Sequence, residues 1–158
     1  MSSKKPQTTD KQAKFYENCP ICTREPIQSG RTQLLYLDDF CFIDRNDKSV
    51  LVVNELPISA EMRVTLSLLE HIAFPNEETI MSAKQLLIDY MKVNLGITDS
   101  DFITRVTMLT YPEHFHIHGY VLPFKDGTGT IVPAAIYGDS HYLHNPSVTE
   151  NVRKIANS

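Results

Sequence analysis

The run His114-Phe115-His116-Ile117-His118 is the densest concentration of reactive side chains in the sequence. On a β-strand, alternate side chains point to the same face. That period predicts three imidazoles in a row on one side, with Phe115 and Ile117 turned to a core. Three titratable rings make a poor core face, because they repel when protonated and leave unmatched donors when buried. A one-sided histidine row therefore suits a metal ion or a phosphate. The competing reading is a row of exposed histidines on a sheet edge.

Cys19-Pro20-Ile21-Cys22 is the second group. Two thiolates at this spacing can share one tetrahedral zinc, but a closed structural site needs two more ligands. No second Cys-x-x-Cys is present, so histidines must complete the set. His71, just after an expected strand over 64–68, is one candidate, and a histidine of the row is the other. A dithiol redox centre is the alternative, but such a motif follows a buried strand and opens a helix. Here a polar tail precedes it and Pro26, Ser29 and Gly30 follow, which disfavours that role. Cys41, between Phe40 and Phe42, reads as a small core residue.

These groups need a scaffold. Leu34–Leu37, Phe40–Ile43 and Ser49–Val53 are short β-branched and aromatic runs. Asp38-Asp39 and the cluster Asp44–Lys48, expected to be a turn, separate them. This is the pattern of an antiparallel meander. Val64–Leu68 alternates apolar with polar as a half-buried strand, and Phe102–Leu109 and Phe115–Leu122 complete the set. One helix is legible, with Asn76 as N-cap, Glu77 and Glu78 in its first turn and Gly96 as its stop. Ile80, Ala83, Leu87, Tyr90 and Met91 share one face of it.

With 158 residues, 42% hydrophobic and 22% charged, the chain is sized for one globular domain. The expected organisation is a disordered tail over 1–14, the domain over 15–125 and a C-terminal extension over 126–158. No apolar run is long enough to span a bilayer. The polar start lacks the apolar core of a secretory signal. With three cysteines that cannot all pair, this predicts an intracellular, cytoplasmic protein with reduced thiols. A net charge of -4 argues against a dedicated nucleic-acid platform.

The histidine run resembles the signature of the histidine-triad superfamily. Val52-Val53-Asn54-Glu55-Leu56-Pro57 resembles the family segment whose Asn or Asp contacts the ribose, and Arg63 through Ile72 resembles the strand leading to a histidine before the helix. Cys19, Cys22, His71 and a histidine of the row resemble the zinc ligands of zinc-bearing members, such as galactose-1-phosphate uridylyltransferase. The likeness spans residues 17 to 124. It implies an α+β fold: an antiparallel sheet of about five strands, one main helix packed on it and an irregular C-terminal segment. It also implies a nucleotide hydrolase or nucleotidyltransferase that acts at the α-phosphate through a nucleotidyl-histidine, with a structural Zn2+. A homodimer fits the habit of relatives.

Two registers compete within this resemblance. In one, His114 is a zinc ligand, His116 the nucleophile and His118 a phosphate contact. In the other, His116 comes first, His118 attacks and Tyr120 takes the third place beside the nucleotide; His114 is also a candidate nucleotide contact. The Gly-Gln-Ser-type segment that usually precedes the triad is absent, with Thr107–Tyr111 in its place. That departure keeps an alternative open: a zinc-stabilised nucleotide-binding or interaction module with weak or no turnover. A catalytic metal held by all three histidines of the row is a third reading. His141 and His144 read as exposed histidines.

Overall fold

The computed structural model describes residues 15–47, 49–53, 56–105 and 114–133. Asn54, His141 and His144 lie outside the described residues, as does the part of the expected strand beyond Arg105. Among the described residues the fold is α+β, with a five-stranded antiparallel sheet, a smaller four-stranded antiparallel sheet and one main helix.

A one-turn helix, α1 (Glu25–Gln28), follows the cysteine turn. The large sheet contains β1 (Gln33–Leu37), β2 (Cys41–Asn46), β5 (Met62–Leu68), β6 (Phe102–Arg105) and β7 (His116–Val121), in the order β1-β2-β5-β7-β6. The small sheet contains β3 (Ser49–Val53), β4 (Leu56–Ala60), β8 (Phe124–Lys125) and β9 (Ile131–Val132). The β8–β9 hairpin carries regular structure past residue 125, around a turn held by the Asp126 carboxylate.

The main helix, α2 (Glu77–Asp89), begins where Asn76 Oδ1 accepts the Thr79 N–H at 2.8 Å. It runs on through a π-helical turn at Tyr90–Asn94 and ends at Gly96, whose φ of +69° is a conformation that glycine adopts without strain. Ala83, Leu87 and Met91 are fully buried, and the helix lies on β5 and β7, two of the sheet's three inner strands. At Gly119 a Cβ would sit 2.6 Å from Met91 Sδ, so the bare glycine lets the helix approach.

Register gives the two faces of the sheet their different characters. Directly opposed residues share a face. Cys41 and Ile43, Val64, Leu66 and Leu68, and Phe115 and Ile117 form the core side with α2. On the other side Phe42 pairs with Ser67 and Ser67 with His116, while Asp44 pairs with Thr65 and Thr65 with His118. Asn46, Arg63 and Tyr120 form the third row.

Two sequence expectations change. Asp44–Asn46 is strand rather than turn: β2 continues because its side chains are accommodated, Asp44 being buried with its carboxylate accepting from Thr32 Oγ1 at 2.7 Å. The strand β4 went unrecognised because Pro57 lies inside it, and proline argues against a strand interior.

Candidate functional site

The histidine run divides. His114 precedes β7 rather than lying in it, and its ring, fully buried, turns to the cysteine knuckle and His71. Two backbone bonds bring these distant segments together: the Phe115 N–H donates to the Ile72 carbonyl at 2.8 Å, and the Leu68 N–H to the Phe115 carbonyl. His71, just beyond the end of β5, and His114, just before β7, are thereby neighbours. The Cys22 N–H points at Cys19 Sγ at 3.3 Å, which closes the Cys19–Cys22 turn with both sulfurs on one side. Tyr16 stacks on the His71 ring at 4.1 Å.

Cys19, Cys22, His71 and His114 present ligand atoms that all lie within 4.8 Å of one another, close enough to hold a metal ion and compatible with zinc. Cys22 Sγ to His71 Nδ1 is 3.3 Å, Cys19 Sγ to His114 Nδ1 3.4 Å and His71 Nδ1 to His114 Nδ1 3.2 Å. Zinc bonds of roughly 2.0–2.3 Å give tetrahedral edges of about 3.3–3.8 Å, so the spacing suits one shared cation. The donors agree. His114 Nε2 lies 2.6 Å from the Leu68 carbonyl, which takes its N–H and leaves Nδ1 with a lone pair facing three other ligand atoms. Lone pairs that converge in this way repel unless a proton or a cation lies between them. Burial holds the His114 pKa down at about 4, which favours the neutral ligand form. Burial also raises the Cys22 thiol, a shift that a bound cation opposes by favouring thiolate.

His116 and His118 lie on the opposite side of the sheet from α2 and line a cavity of ≈ 260 Å³. His116 donates from Nδ1 to the His114 carbonyl at 2.9 Å, so Nε2 carries the lone pair. His118 Nδ1 is 2.9 Å from Thr65 Oγ1, and the two rings meet edge to face at 4.8 Å. Burial lowers both pKa values, that of His118 well below its ordinary range, so both rings are neutral near pH 7. Asp44 is the cavity's carboxylate; burial raises its pKa, while the Thr32 hydroxyl and the charge of Arg63 oppose that rise. Arg24 and Arg63 add positive charge, Arg24 lying over the Phe42 ring at 5.4 Å.

The arrangement places His114 with the metal cluster and apart from the cavity's lining. Tyr120 is buried against His118 and Phe124 and is likewise absent from that lining. Among the described residues the only cluster of three or more metal-ligating side chains is the Cys19 group, which includes neither His116 nor His118. Sequence reasoning missed Asp44, Arg63, Thr65 and Ser67 as members of the site. The signal was present in the alternation of Val64–Leu68, whose polar positions face the cavity rather than bulk solvent. No family model matches the chain, and neither a curated protein nor a solved structure matches it.

Proposed function

We propose that this protein is a nucleotide hydrolase or nucleotidyltransferase of the histidine-triad type, in which His116 attacks the α-phosphorus. The observation that carries the reading is the His116 imidazole itself. Its Nδ1–H is committed to the His114 carbonyl, its Nε2 holds the lone pair, and burial keeps it neutral inside a cationic cavity. A neutral imidazole with its other nitrogen held is an activated nucleophile.

In the reaction, His116 Nε2 forms a bond to phosphorus as the bond to the leaving group breaks. The leaving group departs with the bonding electrons and takes up a proton. Water or another acceptor then attacks the same phosphorus, loses its proton, and restores His116 while releasing the nucleotide product. If Thr65 Oγ1–H donates to His118 Nδ1, His118 Nε2–H is left to donate to a phosphoryl oxygen as charge builds there. Asp44, a buried carboxylate in the same cavity, is suited to accept from sugar hydroxyls. This is the role first sought in Asn54, which lies outside the described residues.

Zinc on Cys19, Cys22, His71 and His114 would supply a closed structural tie between the knuckle and the sheet. The tie bears on the chemistry only by fixing the His114 backbone, whose carbonyl orients His116.

The test is turnover of nucleoside phosphoramidates, dinucleoside polyphosphates and cap-like dinucleotides by the metal-loaded protein. His116→Ala is expected to lose at least roughly a thousandfold in rate. Mass spectrometry of quenched wild type should find a nucleotide adduct on His116. Turnover that survives in His116→Ala but fails in His118→Ala would assign attack to the other ring. Bound nucleotide with no turnover at all would make the protein a binding module.

A further inference from the structure

We propose that Arg63 is the phosphate anchor of this pocket, its guanidinium taking the non-bridging oxygens of the phosphoryl group presented to His116. The proposal rests on the nucleotide reading above and adds a residue that no sequence motif selects.

Arg63 lines the same cavity as His116 and His118. It projects from β5 between Asn46 of β2 and Tyr120 of β7, so an inner strand of the sheet holds its backbone. Its charge bears on Asp44, His116 and His118 alike, so it lies within electrostatic reach of all three. The Arg63 Nε is shielded from solvent and has no hydrogen-bond partner among the described residues. The other arginines that line the cavity are engaged: Arg31 pairs with Glu25, and Arg24 lies over Phe42. Asp44, the carboxylate of the cavity, accepts from Thr32 and forms no ion pair with Arg63 among the described residues.

A shielded donor left unmatched is costly, more so when charged, and a ligand that accepts from it recovers that loss. The guanidinium fork matches two phosphate oxygens at once, which an ammonium does not. Such a donor on a rigid strand beside the attacking ring is arranged before the ligand arrives. The ligand chemistry it selects is a phosphate ester bearing at least one negative charge.

The experiment is calorimetric binding of the four ribonucleoside 5′-monophosphates and their parent nucleosides to metal-loaded protein. Wild type is expected to bind at least one monophosphate more tightly than its nucleoside. Arg63→Gln should weaken that monophosphate by roughly tenfold to a hundredfold and leave the nucleoside unchanged. Arg63→Lys, which keeps the charge without the fork, should fall between them and serves if the glutamine variant does not fold. Undiminished monophosphate binding by Arg63→Gln would overturn the anchor and leave the nucleotide reading standing. Equal losses for monophosphate and nucleoside would make Arg63 structural, which also overturns it. If wild type binds neither ligand, the nucleotide reading falls and the anchor falls with it.

Discussion

His114 and His116 stand two residues apart, yet they belong to different kinds of place. At the metal end, Cys19 and His114 are almost wholly buried, and four ligand atoms converge on one point. At the cavity end, the rings line an open space, and their fixed bonds run to the backbone or to Thr65. The first arrangement is closed and spaced to hold a cation, which suits stability. The second keeps ring nitrogens and a guanidinium donor unspent, which suits a ligand. The two meet at the His114 carbonyl, where a residue of the metal end orients the ring of the other.

The sharpest way to break the contrast is to open the closed end. Cys19→Ser should lose the metal and destabilise the fold by several kcal/mol, on the order of 3–5, since structural metal binding contributes directly to folding. Chelator-accessible metal and the urea midpoint measure this. A variant that melts like the wild type as purified, with no metal found in that wild type, would remove the metal end from the comparison.

The next effect is the pH dependence of the metal-free protein. His114, His116 and His118 all have folded pKa values below 6.5 because burial disfavours their charged forms. Below pH 6.5 the unfolded chain binds protons that the folded chain does not, so stability falls on acidification. For His114, from 6.5 down to about 4, the loss reaches about 3 kcal/mol. Asp44 acts in the opposite sense, because its raised pKa lets the folded state hold a proton above pH 3.8 that the unfolded state has lost. Three histidines against one carboxylate predict net acid destabilisation between pH 6.5 and 4. Urea titrations across that window check it, and a flat profile would mean that the rings are not held neutral.

The smallest effect should lie wholly at the cavity end. Thr65→Val removes the partner of His118 Nδ1 while keeping a β-branched strand residue. About fivefold in turnover should be lost, in line with one hydrogen bond of roughly 1 kcal/mol, with metal content unchanged. A change in metal stoichiometry would show that the two ends are not separable.

Much of this was legible before folding was considered. The Asn76 cap, the buried stripe of α2 and the Gly96 stop are written in neighbouring residues, and they stand. Cys-x-x-Cys with a shortage of other ligands pointed to histidines, and Cys19, Cys22, His71 and His114 lie close enough to hold a metal ion; that His114 rather than His116 joins them is seen only in the fold. Less legible was Asp44, which looked like a turn residue beside Arg45, Asn46 and Asp47. Its burial depends on Thr32, twelve residues away, and its place in the cavity on two strand pairings.

By itself, then, the sequence determined residue type and period: which side chains can bind metal or attack phosphorus, and which faces of strand and helix are apolar. Those properties need only local geometry, a repeat of two or of 3.6 residues. The tertiary structure decided how the histidine row is shared. The joint between Ile72 and Phe115 draws His114 out of the strand and toward the cysteines, while the β5–β7 register sets Thr65 and Ser67 beside His118 and His116. Strand pairing joins segments about fifty residues apart, and no short-range repeat encodes which of them will meet.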